Sequence, residues 1–134
     1  MPDERDVLAA NQAFYDAFAA RDLTAMDALW ARRAPVTCVH PGWQALRGRD
    51  AVLASWHGIL HGPNPPAIRC ADATAHLLGD AAVVVCTERL PGVELVATNV
   101  FVREDGTWRL AQHHASGVAR AAEPEEDDGG GMLH

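Results

Sequence analysis

Apolar side chains return at a helical period near the start of the chain. Val7, Leu8, Phe14, Tyr15 and Phe18 fall on one face of residues 4–20, and Asn11, Gln12, Asp16 and Arg21 fall elsewhere. Asp3 suits the cap of this helix. After Arg21-Asp22, the residues Leu23, Met26, Leu29 and Trp30 predict a second, shorter helix, with Asp22 or Thr24 near its start. It should end near Arg33, because Pro35 drives Ala34 away from helical dihedrals. A strand-type run, Val36-Thr37-Cys38-Val39-His40, then meets the turn Pro41-Gly42, with Trp43 directly beyond.

Residues 46–50 read as a loop in which Asp50 caps a third helix carrying Val52, Leu53, Trp56, Ile59 and Leu60. Gly62-Pro63-Asn64-Pro65-Pro66 stops that helix. From there the period falls to two, predicting strands over 68–78, 82–90, 94–103 and 108–117. Gly79-Asp80, Pro91-Gly92 and Asp105-Gly106 punctuate them, so short turns should join an antiparallel meander. Two helices, a strand, a helix and four strands (ααβαββββ) predict an α+β domain whose helices cover one face of the sheet.

At 134 residues the chain fits one domain, expected over residues 1–120. The remainder, 121–134, is an acidic, glycine-rich tail expected to be disordered. That tail distorts the charge balance. The formal net charge is −7, yet residues 1–120 hold 11 basic against 13 acidic side chains, so the body is nearly neutral and a nucleic-acid partner is not expected.

No apolar run approaches a bilayer's thickness and MPDERDVLAA lacks the order of a secretion signal, so a cytoplasmic protein with no membrane partner is expected. Cys38, Cys70 and Cys86 are widely spaced in strand-like segments and read as buried, reduced thiols. All 11 basic residues are arginine, which excludes Schiff-base lysine chemistry and a P-loop.

Three segments together carry a family likeness: the helix pair AARDLTAMDALW, the joint VHPGW…GRDAV and the hairpin TNVFVREDGTWRLAQHHASG. Over roughly residues 5–118 the chain resembles the nuclear transport factor 2-like superfamily, in particular its polyketide-cyclase-like (SnoaL-like) bacterial branch. The resemblance implies a cystatin-like cone, a curved and mostly antiparallel sheet with the N-terminal helices over its concave face and a cavity between them. It also implies a homodimer through the convex face of the sheet. The fold hosts isomerases, cyclases, dehydratases, epoxide hydrolases and non-catalytic binding or assembly domains, so it fixes no reaction.

His40 falls where the ketosteroid isomerases of this fold keep an aspartate base, and an imidazole can move the same proton. Their tyrosine aligns with Phe14 and their protonated aspartate with Thr98 or Asn99, which argues against a steroid isomerase. The association domain of calcium/calmodulin-dependent kinases is similar across the last two strands. That likeness places Gln112 and His114 at its paired histidines, and Glu88 and Asn99 where arginines line its pocket. Strand alternation puts His114 with Trp108 and Leu110, inside, and His113 nearer a subunit contact, an assignment that a one-residue bulge would reverse.

Glu88 is open to two readings, a buried acid or a rim salt bridge. Asn99 either donates to a substrate oxygen or satisfies neighbouring backbone. Trp30, Trp56 and Trp108 sit at core positions, with ligand stacking as the second reading, and Trp43 suits a cavity mouth. His57 and His61 have a ligand-like spacing without a third partner, so no metal is expected.

The expected pocket is therefore lined by Tyr15, Trp30, His40, Trp43, Trp56, Glu88, Asn99 and His114. His40, Glu88, Asn99 and His114 are its catalytic candidates, acting without cofactor on a small carbonyl compound. The alternative is a ligand-binding or assembly domain.

Overall fold

A computed structural model describes residues 2–119; the acidic tail expected over 121–134 lies outside them. The helix α1 spans Pro2–Ala20 and α2 spans Leu23–Leu29. Their joint is a double cap. Arg21 N–H donates to Phe18 and Asp22 N–H to Ala17, the pattern of a helix closed by a left-handed residue, and Arg21 takes that role at φ 53°. Glycine is the residue that adopts this conformation without strain. Asp22 then accepts from Ala25 N–H at 3.0 Å and opens α2.

The strands are β1 (Thr37–Val39), β2 (Leu46–Arg47), β3 (Arg69–Leu78), β4 (Ala81–Leu90), β5 (Val93–Glu104) and β6 (Thr107–Gly117), with α3 (Arg49–Leu60) between β2 and β3. They form one sheet in the order β2-β1-β6-β5-β4-β3, antiparallel except for the β1–β6 pair. The α+β class and the four-strand meander stand as expected. β5 and β6 are joined by Asp105-Gly106 alone, both at positive φ, which matches the twist of the hairpin.

Four local features depart from the sequence-based expectation. Asp3, expected to cap α1, lies in its first turn, since the helix already starts at Pro2. α2 stops at Leu29, earlier than Arg33, because the following backbone has stronger partners: Trp30 bridges to Leu110, and Glu104 accepts from the N–H groups of Arg32, Arg33 and Ala34, each at 2.9 Å. Leu46-Arg47 is a strand, held against Cys38 and Thr37. Finally, α3 opens on Gly48 at φ 92° instead of Asp50, which lies in the first turn.

The core forms where α1 and α3 meet the sheet. Phe14, Phe18, Trp30, Trp56, Phe101 and Leu110 are its large buried residues. Arg49 ties α3 to α2 by donating to the carbonyls of Asp27, Trp30 and Ala31 at 2.7–3.1 Å, filling acceptors that a helix end leaves open. Among the described residues, no helix is long and apolar enough to cross a membrane.

Glu104 yields a test of what holds the α2–β1 link. Its three backbone donors keep the carboxyl at about 2, down from 4.5. A depressed folded-state pKa means the stabilisation is complete above pH 4.5 and lost as pH falls toward 2. Glu104→Gln, whose amide N–H groups would face backbone N–H groups, should cost about 2 kcal/mol at neutral pH. In urea denaturation this difference should shrink steadily between pH 4.5 and 2; a difference independent of pH would contradict the assignment.

Candidate functional site

α1 presents Asn11, Phe14, Tyr15 and Phe18 to the sheet, the i, i+3, i+4, i+7 face of a helix. Opposite them β4, β5 and β6 supply Glu88, Asn99 and His113, all buried. One amide organises these groups. Asn99 Nδ2 donates to Asn11 Oδ1 at 2.8 Å and to Tyr15 Oη at 3.2 Å, and Asn99 Oδ1 accepts from His113 Nδ1 at 2.6 Å. An amide oxygen cannot donate, so Nδ1 of His113 carries the proton and Nε2 keeps a lone pair in the neutral ring. That Nε2 stands 3.8 Å from Glu88 Oε2, the same oxygen that accepts from Tyr15 Oη at 2.7 Å.

Among the described residues no arginine enters this network, and desolvation dominates its electrostatics. Burial raises the Glu88 carboxyl above the usual carboxylate range, with the Tyr15 hydrogen bond pulling weakly the other way. Burial also drives His113 down to about 3, helped by the neighbouring His40 and His114. Tyr15 is pushed well above its ordinary value by burial and by Glu88 and Cys86. Cys86 Sγ lies 3.3 Å from Tyr15 Oη, and Asn11 Nδ2 donates to Cys70 Sγ at 3.5 Å.

His40 closes the other side. β1 runs parallel to β6 with Cys38 opposite His113, and His40 follows two residues later, just past the strand end. Its Nε2 is 2.9 Å from Ser55 Oγ, which itself donates to the Val52 carbonyl at 2.7 Å. The serine proton is thus committed, so His40 Nε2–H donates to Ser55 and Nδ1 holds the lone pair. Burial lowers this imidazole to about 4. Its ring packs edge-on against Trp43 and Trp56, with centroids 4.6 and 4.7 Å away. Trp43 is 49% exposed, at the mouth; Trp56 is buried and its indole N–H has no acceptor among the described residues.

Between these walls lies a mostly apolar cavity of about 210 Å³, whose polar lining is His40, Glu88 and His113. The volume matches the liquid share of about seven waters, enough for a small ring or short chain.

The sequence-predicted candidates divide accordingly. His40, Trp43, Trp56 and Glu88 line the cavity, and Tyr15 stands behind Glu88. The reading of Glu88 as a rim salt bridge is set aside, since no arginine pairs with it among the described residues. Trp30 is fully enclosed in the core and does not line the cavity. Asn99 is likewise fully enclosed, with both amide donors committed, so it holds His113 and does not meet a ligand.

The inward assignment of His114 is corrected to His113. Between Val100↔Gln112 and Phe101↔Leu110 the ladder gains one residue, Ala111, and the alternation of β6 reverses beyond it. His113 is 3% exposed, while His114 lies on the outer, exposed face. The consecutive apolar pair Leu110-Ala111 is the sequence trace of that bulge. Asn11 was also missed, although a polar residue inside the apolar stripe Val7, Phe14, Phe18 marks a buried amide. Ser55, which orients His40, left no comparable trace. His57 Nε2–H donates to Asp27 Oδ1 at 3.2 Å, and no group of three His, Cys, Asp or Glu gathers as a metal set among the described residues.

Comparison with known proteins places this geometry. The SnoaL-like domain matches residues 7–121. A Streptomyces avermitilis protein of the NTF2-like (nuclear transport factor 2-like) family, provisionally assigned as a dehydratase, superposes with a TM-score of 0.81 at 37% identity, over 89% of this chain and 98% of that one. A Thiobacillus denitrificans protein provisionally assigned as a calcium/calmodulin-dependent protein kinase type II association domain gives 0.73 at 35% identity, over 83% and 94%. F-box protein SKIP8 of Arabidopsis thaliana is 27% identical over 114 residues, 84% of this chain; the chain spans about half (49%) of that relative's length. With the family match running across nearly the whole described chain and a structure of 37% identity superposing along it, the chain belongs to the SnoaL-like domain family of NTF2-like proteins.

Proposed function

We propose that the cavity is the active site of a cofactor-independent dehydratase, isomerase or cyclase that moves a proton on a small carbonyl compound. The observation that carries this reading is the pairing of an uncharged imidazole, His40, with a buried carboxyl of raised proton affinity, Glu88, on the walls of one small apolar cavity. His40 Nδ1 takes the proton α to the carbonyl. Glu88, whose proton affinity burial raises, gives its proton to a departing hydroxyl in an elimination or to the distal carbon in an isomerisation.

Turnover leaves His40 protonated and Glu88 ionised, and proton transfer from the first to the second restores both. Tyr15 and His113 are positioning residues for the Glu88 carboxyl. A base near 4 is of the strength used by enolising enzymes of this kind. The S. avermitilis relative and its dehydratase assignment favour the elimination form.

The assay is deuterium wash-in from heavy water at the α-carbon of small cyclic and linear ketones, read by mass spectrometry. His40→Ala should slow exchange by about 10²–10⁴-fold, and Glu88→Gln should slow loss of water from the corresponding β-hydroxy ketones by a similar factor. The wild-type exchange rate should fall as pH drops through about 4, where His40 gains its proton, and water loss should slow at the pH where Glu88 loses its own. His40→Ala should lack the acid limb. Wild-type exchange no faster than in His40→Ala, water loss no faster than in Glu88→Gln, or an exchange profile unchanged in His40→Ala, contradicts the assignment.

The 35%-identical association-domain relative favours a second reading, a ligand-binding or assembly domain. The outer face of the sheet carries an apolar strip, with Val83 opposite Val100 and with Val85 and Val96 more than a third exposed, and we infer that two copies pair through it. Solution mass should be twice the chain mass across a dilution series and should fall to one chain in Val85→Asp/Val96→Asp. A wild-type protein of single-chain mass throughout overturns the pairing.

A further inference from the structure

Outside the cavity the wall continues into a groove of about 600 Å³ that shares Phe18, Pro66, Ile68 and Leu90 with it. Three arginines border this groove, Arg21, Arg69 and Arg89. Arg69 and Arg89 are direct cross-strand partners on β3 and β4, a juxtaposition of like charges that costs stability unless something offsets it. Arg89 has its own offset in Glu94 at 3.2 Å and Asp72 at 3.4 Å. Arg69 and Arg21 take part in no ion pair among the described residues. Arg21 moreover occupies the left-handed cap of α1, where glycine would sit without strain. The three cations thus face two carboxylates at the mouth of an apolar cavity, on a protein body that is slightly acidic as a whole.

We propose that the ligand is an amphipathic monocarboxylate whose acid group rests on Arg69 and Arg21 at the mouth while its other end fills the cavity between His40 and Glu88. The inference rests on the cavity being the working site and names its substrate class. Orientation follows from charge. The cavity's polar lining is His40, Glu88 and His113, two imidazoles held neutral by burial and a carboxyl, so an anion finds no cation inside and two at the rim. One uncompensated positive charge suits a monocarboxylate better than a dianionic phosphate. Guanidinium pairs with carboxylate in matched geometry, and partial exclusion of water by Phe18 and the Pro65-Pro66 rim strengthens the contact. The carbonyl compound of the proposed reaction is thereby a keto or hydroxy acid with the acid group several carbons from the reacting centre.

The test titrates octanoate and 1-octanol, which share a chain and differ in the head group, following the fluorescence of Trp43 and Trp56 at low salt. Octanoate should bind about tenfold more tightly than 1-octanol, the scale of one charge-assisted contact. Arg21→Gln/Arg69→Gln should bring octanoate to the affinity of 1-octanol and leave 1-octanol unchanged. Arg47→Gln, on β2 at the opposite edge of the sheet, should alter neither.

Equal binding of the two probes by the wild type, or a preference that survives the double variant, overturns the proposal. So does a preference lost equally in Arg47→Gln, and so does binding of neither probe. Failure of the catalytic reading is separate: exchange that does not depend on His40 and water loss that does not depend on Glu88, with the carboxylate preference intact, remove the chemistry and keep the acid site.

Discussion

The inner face of β6 depends on one extra residue. Without the bulge at Ala111, strand alternation from Trp108 and Leu110 would carry His114 inward and leave His113 outside. With it, His113 meets Asn99 at 2.6 Å, and every other polar contact of the floor is set from there. The bulge also lets Leu110 and Ala111 both be buried, with Leu110 bridging to Trp30 and thereby fixing where α2 ends. A single backbone irregularity thus couples the packing of the first helices to the chemistry of the cavity. Bulges beside active sites commonly re-aim a side chain in this way.

The second constraint is that polar groups placed in a dry interior need partners. Asn11, Tyr15, Glu88, Asn99 and His113 are all buried, and each finds one within the set. Satisfaction of this kind makes the network rigid, because moving one member leaves another unpaired in a medium where that is costly. Rigidity and desolvation then act together on proton affinity: Glu88 rises while His113 falls, so neither is driven toward charge. On the opposite wall Ser55 and Val52 fix the His40 ring by the same logic. Burial thus favours the uncharged form of both the carboxyl and the imidazole on the walls of one apolar space.

Much of this was legible in the sequence, and the parts that were not share a physical reason. The periods of α1, α3 and the four long strands report burial of whole faces, a signal summed over many residues, and those elements fall where the pattern predicts. His40 and Glu88 were legible because each interrupts or ends an apolar strand run. β2 was not, since two residues hold no period. The end of α2 was misread because Glu104, some seventy residues away, supplies the donors' partner. Asn99 was identified as a polar residue of the inner face, but its role depends on Asn11, which lies on another element and is invisible to local pattern. Trp30, read with the cavity aromatics, is sealed off by the same bulge-dependent packing.

The network holds His113 as a neutral ring with its proton on Nδ1, beside a Glu88 carboxyl whose proton affinity burial raises. The side-chain nitrogen spectrum of nitrogen-15-labelled protein reports both the charge and the tautomer of that ring. His113 should show a protonated Nδ1 and an unprotonated Nε2 at pH 7, unchanged on acidification to about pH 5, below the ordinary histidine value. A ring protonated on both nitrogens at pH 7, or one carrying its proton on Nε2, would contradict this assignment.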